Sequence, residues 1–326
     1  MLKKLALVLA AAASFGFTAP GSAFAEYPAR DIRVVVPWGA GGGTDGIVRK
    51  LTQIAEKSIG ASMYVENIEG GISATGIAKV MKAKPDGYTI GALTYDSVIT
   101  VPWQGLLPSY KMDKLKLIAR VTSEPDALIV SKDAPYETVK DLIADAKANP
   151  GKVKVGIQNI GSRTHLALLQ LQEETGVTFN LIAYPGGAAL QKEAILNGEV
   201  AVVATSLGDL AGLIQGGDAR GLMEFSGTRN PTYETVPSAA DEGLDVRMGS
   251  FIVLAVPART PDDVVAKIEG AYKAALDGEE FQTWVANVGV TPDWIGSADV
   301  TGWSEETSEV LFKQMDDLVA RGVISK

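Results

Sequence analysis

From residue 32 onward the chain alternates short apolar runs with longer stretches whose apolar residues recur every three or four positions. The runs IRVVV (32–36), MYVEN (63–67), YTIGAL (88–93), ALIV (127–130), VKVGI (153–157), FNLIAY (179–184), VAVVA (200–204), GLMEF (221–225) and FIVLAV (251–256) read as strands. The stretch after the first run reads as an amphipathic helix. Ile47, Val48, Leu51, Ile54 and Ala55 share one face, while Arg49, Lys50, Gln53 and Glu56 occupy the others. The same period predicts helices near 72–83, 136–148, 164–175, 187–197 and 207–215, and three more near 261–277, 279–287 and 301–321. Thr260 is the expected N-cap of the first of these three, with Pro261 in its first turn. This alternation predicts an α/β fold of mixed, mostly parallel sheets flanked by helices. Two strand–loop–helix halves are discernible, before and after about residue 126, with no low-complexity linker between them. Two domains joined by crossing strands are therefore expected.

Small residues cluster where strands hand over to helices: PWGAGGGTD after the first strand, QNIGSRTH after VKVGI, PGGAA after FNLIAY, TSLGD after VAVVA and TYDS after YTIGAL. In an open α/β sheet, ligands bind outside the carboxyl ends of the strands. Helix N-termini there present unpaired N–H groups and partial positive charge, which suits an anion. Glycine and Ser/Thr also cap helices and turn the chain in any α/β protein. The glycine-rich turns at 39–45 and 185–189 stand out from that background.

GAGGGT is close to the dinucleotide fingerprint G-x-G-x-x-G, and Glu66 sits about where a ribose-binding acid belongs. Thr44 replaces the third glycine, however, and Pro37 and Trp38 interrupt the junction before the glycines begin. Enzyme constellations are sparse. The one histidine, His165, excludes multi-histidine metal sites, and neither G-x-S-x-G nor G-x-x-x-x-G-K-[ST] occurs. His165 opens a helix, where packing or hydrogen bonding at the turn is its expected role. Asp45 is expected to cap or charge the first turn of its helix. Trp38, Tyr95, Trp103 and Tyr184 can line a cleft or pack a core, and Trp38 is set apart by lying inside the glycine loop.

The first 25 residues change the picture of location. Lys3 and Lys4, the apolar run LALVLAAAASFGFTA and the terminal Ala23-Phe24-Ala25 read as a secretory signal peptide cut before Glu26. Cleavage takes Lys+Arg from 30 to 28 against 39 acids, a mature charge of −11. So acidic a chain is unsuited to nucleic acid or an anionic membrane surface. It has no cysteine, which excludes disulfides, thiolate nucleophiles and cysteine zinc sites.

YPARDIRVVVPWGAGGGTD, VENIEGGISATGIAKVMKAKPDGYTIGAL, GSRTHLAL and YPGGAALQKEAILNGEVAVV together resemble the tripartite tricarboxylate transporter receptors, also called Bug-type or TctC-like proteins, over nearly the whole mature chain. The first turn departs from that family's usual Pro-Phe-x-Pro-Gly-Gly in reading Pro-Trp-Gly-Ala-Gly-Gly, and the second carries a shorter glycine run. The resemblance implies a two-domain, type II (Venus-flytrap) periplasmic binding protein, with 26–125 plus 247–326 in one domain and 126–246 in the other. It implies a small carboxylate held between two glycine turns: Trp38, Ala40, Gly41 and Gly42 in one, Tyr184, Gly186, Gly187 and Ala188 in the other. Ser162, Thr205 and Ser206 are implied hydroxyl donors, and Thr94 contributes from the strand YTIGALT. No catalytic residue, metal or cofactor is implied. The implied partner is an inner-membrane transporter of the tripartite type, served by a monomeric receptor. A secreted α/β enzyme acting on a small organic acid and a dinucleotide-binding oxidoreductase are the alternatives.

Overall fold

The computed structural model describes residues 27–185 and 187–324. The signal segment and Gly186 of the second glycine turn lie outside the described residues.

The chain starts with β1 (Ile32–Val36), α1 (Gly43–Ile59), β2 (Met63–Asn67), α2 (Ala74–Met81) and β3 (Thr89–Thr94). A wide π-helical turn over Asp96–Thr100 runs into the short α3 (Val101–Gln104), and the long β4 (Leu115–Ser131) follows. Next come α4 (Val139–Ala148), β5 (Lys154–Ile157), α5 (Arg163–Thr175), β6 (Asn180–Ala183), α6 (Ala188–Leu196), β7 (Val202–Ser206), α7 (Ala211–Gln215) and β8 (Ala219–Glu224). The chain returns through β9 (Gly249–Pro257) and closes with α8 (Asp262–Asp277), α9 (Glu279–Val288), β10 (Pro292–Ile295) and α10 (Val300–Ala320).

The strands order as β2-β1-β3-β9-β4-β7-β5-β6, with β10 and β8 also pairing β4. The sheet is mixed in a regular way. Parallel pairs lie toward its flanks, β1 with β2 and β3, β5 with β6 and β7, while β3–β9 and every pair made by β4 are antiparallel. β4 joins the two sectors. Up to Pro125, which faces Gly249, it pairs with β9 and β10; from Asp126, which faces Ser206, it pairs with β7 and β8. A proline, lacking an N–H, costs least where a strand changes partners.

Only residues 127–130 of β4 read as strand by pattern, because Lys116, Arg120 and Glu124 interrupt the apolar run. Tertiary partners hold the first two: Lys116 Nζ lies 2.7 Å from Asp262 and an Arg120 nitrogen 2.6 Å from Asp293 at β10. The 96–104 segment was not expected to be helical. Its Asp96–Val101 run is buried on every side, so it shows no amphipathic period. In α1 the expected face holds: Ile47, Val48, Leu51, Ile54 and Ala55 are all buried, and Thr52 bonds Tyr272 of α8 at 2.9 Å. The expectation for α8 needs a correction. Pro261 is its N-cap, and the Thr260 hydroxyl instead turns back to donate to the Pro257 carbonyl at 2.7 Å.

Candidate functional site

The C-terminal ends of β1, β5, β6 and β7 converge between the two sectors, and a small cavity of about 30 Å³ lies there. On one side it is lined by Trp38, Gly39, Gly42, Gly43, Thr44 and Ile47; on the other by Gln158, Arg163, Gly187, Ala188, Ser206 and Asp209. Glu124 of β4 and Ser250 and Ile252 of β9 form its floor. The space is about that of one or two waters, because the sectors touch. Trp38 faces Gly187, Asp209 rests against Gly43 so that a Cβ on Gly43 would collide with its carboxylate, and Lys192 Nζ donates to the Gly41 carbonyl at 2.6 Å.

Three helices begin at this cavity, and they begin differently. The N-caps of α1 and α6 are Gly42 and Gly187, neither with a side chain to bond the first-turn amides. Gly187 adopts φ +69°, a left-handed conformation that an L side chain resists. The first N–H groups of both helices have no intrahelical acceptor. Gly43 and Thr44 at the start of α1 and Ala188 at the start of α6 line the cavity, where an anion would meet the positive helix ends. By contrast, α5 caps itself. Ser162 Oγ accepts from the His165 N–H at 3.4 Å and donates to the Asn159 carbonyl at 2.7 Å, and His165 Nδ1 accepts from the Gly161 N–H at 2.8 Å. Burial lowers the His165 pKa to about 4 and keeps the ring neutral.

The aromatic of the first turn is held in place. Trp38 Nε1 donates to Thr94 Oγ1 at 3.0 Å, and Ser97 Oγ, 3.4 Å from Thr94 Oγ1, donates on to Ser73 at 3.1 Å. Asp45 acts within its own loop, accepting from the Gly41 N–H, Asn67 Nδ2 and Arg49 at 3.0, 2.9 and 2.6 Å. Burial opposes its charge, but the Arg49, Gly41 and Asn67 bonds together hold its pKa below the ordinary value. Asp45 therefore faces away from the cleft and stiffens the turn.

Arg163 stands behind the cavity at the centre of a carboxylate cluster. Its Nε donates to Asp126 at 3.0 Å and its Nη1 to Gln158 Oε1 at 2.6 Å, while Asp96 and Asp209 each lie 3.8 Å away. Burial works against the guanidinium's charge, but Asp126, Asp96 and Asp209 outweigh it and raise the pKa. The acids bear the cost of burial. Desolvation, with Asp209 and Asp126 nearby, pushes Glu124 up to about 8, and desolvation pushes Asp126 up to about 7 against the pull of Arg163.

Of the twelve residues expected at the site, Trp38, Gly42, Gly187, Ala188 and Ser206 line the cavity. Ala40 and Gly41 sit beside it in the same turn, and Gly186 lies outside the described residues. Thr94 holds Trp38; Ser162 serves the α5 cap; Thr205 donates its hydroxyl to Asp209. Tyr184 packs into the core beneath the second turn, against Gly156 and Val203 of neighbouring strands. Glu124, Gln158, Asp209, Ser250 and Ile252 were not expected, and nothing local in sequence marks them. Arg163, next to Ser162 in the turn before α5, also lines the cavity. Glu66, the candidate ribose-binding acid, pairs with Arg33 at 3.2 Å and does not line the cavity.

With this geometry in view, comparison with known proteins is decisive. Residues 47–311 match the sequence model described as tripartite tricarboxylate transporter family receptor. The chain belongs to this family. It is 30% identical over 302 residues to a UPF0065 protein from the gbd 5′ region of Cupriavidus necator, covering 92% of this chain and 91% of the relative. The structure of the periplasmic binding protein BugD superposes with a TM-score of 0.83 at 25% identity, covering 92% of this chain and all of the other. Two structures show the same fold at lower identity. Rhodopseudomonas palustris Rpa4515, solved with adipate, has TM-score 0.83 at 23% identity, covering 90% and 98% of the two chains. MatC from the same species, solved with malate, has TM-score 0.80 at 22% identity, covering 88% and 99%. The chain is thus a solute-binding receptor of the tripartite tricarboxylate transporter family.

Proposed function

We propose that the cleft between the α1 and α6 N-termini captures a small organic acid, and that the receptor presents it to a membrane transporter of the tripartite tricarboxylate type. The observation that carries this is the pair of uncapped, glycine-led helix N-termini, one from each sector, facing one cavity. Backbone N–H groups there give charge-assisted bonds to a carboxylate without a basic side chain. Trp38, Ala40, Gly41, Gly42 and Thr44 serve from one side; Gly186, Gly187, Ala188 and Ser206 serve from the other. Thr94 acts behind them by holding Trp38, while Ser162, Tyr184 and Thr205 support the surrounding turns. Malate and adipate in the two related structures support a carboxylate as the anchor.

The two sectors act as lobes, residues 26–125 with 247–326 and residues 126–246. A cleft of about 30 Å³ admits no organic acid, so the lobes part about the crossing at Pro125–Asp126 and Met248–Gly249 and close again on the solute. A ligand favours the closed form only through contacts to both lobes, and this site supplies them. The receptor works in the periplasm, after removal of residues 1–25. It does no chemistry on its solute: its one histidine is tied into the α5 turn, and Arg163 is occupied by carboxylates.

Thermal unfolding of the purified protein with mono-, di- and tricarboxylic, amino and aromatic acids, and with NAD, tests this reading. A solute at a hundredfold its Kd adds about 2.7 kcal/mol, and a rise of several degrees in Tm with one class of acid is expected. A rise with NAD alone would overturn the receptor reading in favour of a nucleotide enzyme.

A further inference from the structure

Helix α9 is anchored in one lobe and capped by the other. At its start, Glu280 accepts from Lys50 Nζ and Lys57 Nζ of α1, each at 2.7 Å. Phe281 and Val285 are buried in the core that α9 shares with α1 and α8. The helix is therefore fixed to the lobe of residues 26–125 and 247–326. The last carbonyls of a helix have no intrahelical donor, and in α9 the missing donors come from residues 126–246. Gln215 Nε2 donates to the Asn287 carbonyl, and Thr232 Oγ1 to that of Ala286 at 3.0 Å. The Tyr233 hydroxyl donates to Val288 and Asn230 Nδ2 to Gly289, both at 2.9 Å. Four successive carbonyls, 286 to 289, are thus met by four side chains across the lobe boundary. Gly289 ends the helix at φ +72°, and the lack of a Cβ lets the Tyr233 ring lie against it.

The donors are rooted as firmly as the acceptors. Tyr233 packs in a core with Ala127, Ile129, Leu207 and Val236 of its own lobe, and Gln215 closes α7. Neither side can follow the other, so parting of the lobes breaks these bonds and closing restores them. The contact adjoins the cavity, since Gly208, next to the cavity residue Asp209, lies against Val290 and the Val288 carbonyl. None of the four donors lines the cavity itself. We infer that the α9 C-terminus is a clasp for the closed receptor, and that Gln215, Asn230, Thr232 and Tyr233 are positioning residues that set solute affinity without touching solute. The inference rests on the two-lobe receptor reading above and adds a source of closing energy that no solute contact supplies. The partial negative charge of the helix end favours the same four donors. A receptor whose binding-competent form is only fractionally populated binds more weakly by that fraction. Loosening the clasp therefore weakens every solute alike.

Titration calorimetry of Gln215→Ala, Thr232→Val and Tyr233→Phe, singly and combined, tests this with malate, succinate, adipate, citrate, L-aspartate and benzoate. Every acid that binds the wild type should bind the triple variant about tenfold more weakly, with the order of preference among acids unchanged. Affinities equal to those of the wild type would overturn the inference and make the contact a fixed joint. A loss confined to one acid among several that bind would overturn it too. A bridged variant keeps the test open should the triple variant fail to fold. The chain has no cysteine, so Gln215→Cys with Asn287→Cys, both at exposed positions, can be joined by a short bis-methanethiosulfonate. Bridged after loading with the tightest of these acids, the receptor should release it about tenfold more slowly, recovering on reduction with dithiothreitol. Release unaltered by the bridge would overturn the clasp and leave the receptor reading standing. Failure of the wild type to bind any of these acids would instead overturn the receptor reading, and the clasp with it.

Discussion

Helices α1 and α5 each follow a strand of the sheet, each starts at the same cleft, and each is preceded by small residues; yet they end up with opposite roles. At α5, Ser162 and His165 satisfy the turn from within, so it is a structural joint that carries Arg163 into place. At α1 the N-cap is Gly42, which has no side chain to bond the first-turn amides, and the turn is stiffened from the far side by Asp45. The lesson is that a strand–helix turn binds ligand according to what its own side chains leave unsatisfied, not according to how many small residues it has.

Substitution at the open turn should have the largest effect. In Gly43→Ala the new methyl meets the Asp209 carboxylate and, at 3.1 Å, the Asp209 Cα, so side-chain rotation alone cannot relieve it. Overpacking of this kind costs about 1–3 kcal/mol. Because it penalises the closed form, solute affinity should fall about tenfold to a hundredfold, with Tm of the unliganded protein little changed. Titration with the best acid from the thermal screen measures this. The equivalent change at the self-capped turn should do the reverse. Ser162→Ala removes an N-cap worth about 1 kcal/mol, lowering Tm by about 2 °C while solute affinity stays put. A drop in affinity with Ser162→Ala that matches Gly43→Ala would erase the distinction between the turns.

A smaller effect separates the two regions by pH. Glu124, at the cleft, has a folded pKa of about 8, above its ordinary 4.5. It holds a proton that the unfolded chain gives up, so its contribution is complete below about pH 4.5 and lost as pH rises through 8. Asp126 and Glu224, each near 7 through desolvation, add to the same slope. His165, at the self-capped turn, has the opposite sign. Its pKa of about 4 lies below the ordinary 6.5, so its contribution is present above 6.5 and lost as pH falls toward 4. Tm recorded from pH 4.5 to 9 should therefore fall as pH rises toward 8, Glu124→Gln flattening that slope and His165→Gln, which removes a contribution of opposite sign below pH 6.5, steepening its acid part. An alkaline slope unaltered in Glu124→Gln would show that the proton on Glu124 is not its source.

Legibility in the sequence followed the range of the interactions. The strands IRVVV and MYVEN have in the structure the bounds that their pattern predicts, and the face of α1 is buried as its period requires, since both depend on neighbours within a few positions. The two glycine turns were legible because glycine records a local demand, close backbone approach at Gly43 and a positive φ at Gly187. The first twelve residues of β4 were hidden by charges, and the partners of Lys116 and Arg120, Asp262 and Asp293, lie more than 140 positions away along the chain.

From its local patterns alone, this sequence determined the class of fold, the alternation of strands and helices, and the turns where an anion would find free N–H groups. Periodicity, capping and glycine conformation are short-range physics and are written in adjacent letters. Only the tertiary structure decided which of those turns meet across a cleft, and that Glu124, Asp126, Asp96 and Asp209 gather around Arg163 with too few donors among them. A carboxylate on a strand and another 85 positions later look alike in sequence. Burial and distance make them one cluster, because the energy of a charge depends on its surroundings in space, and those are set by the fold.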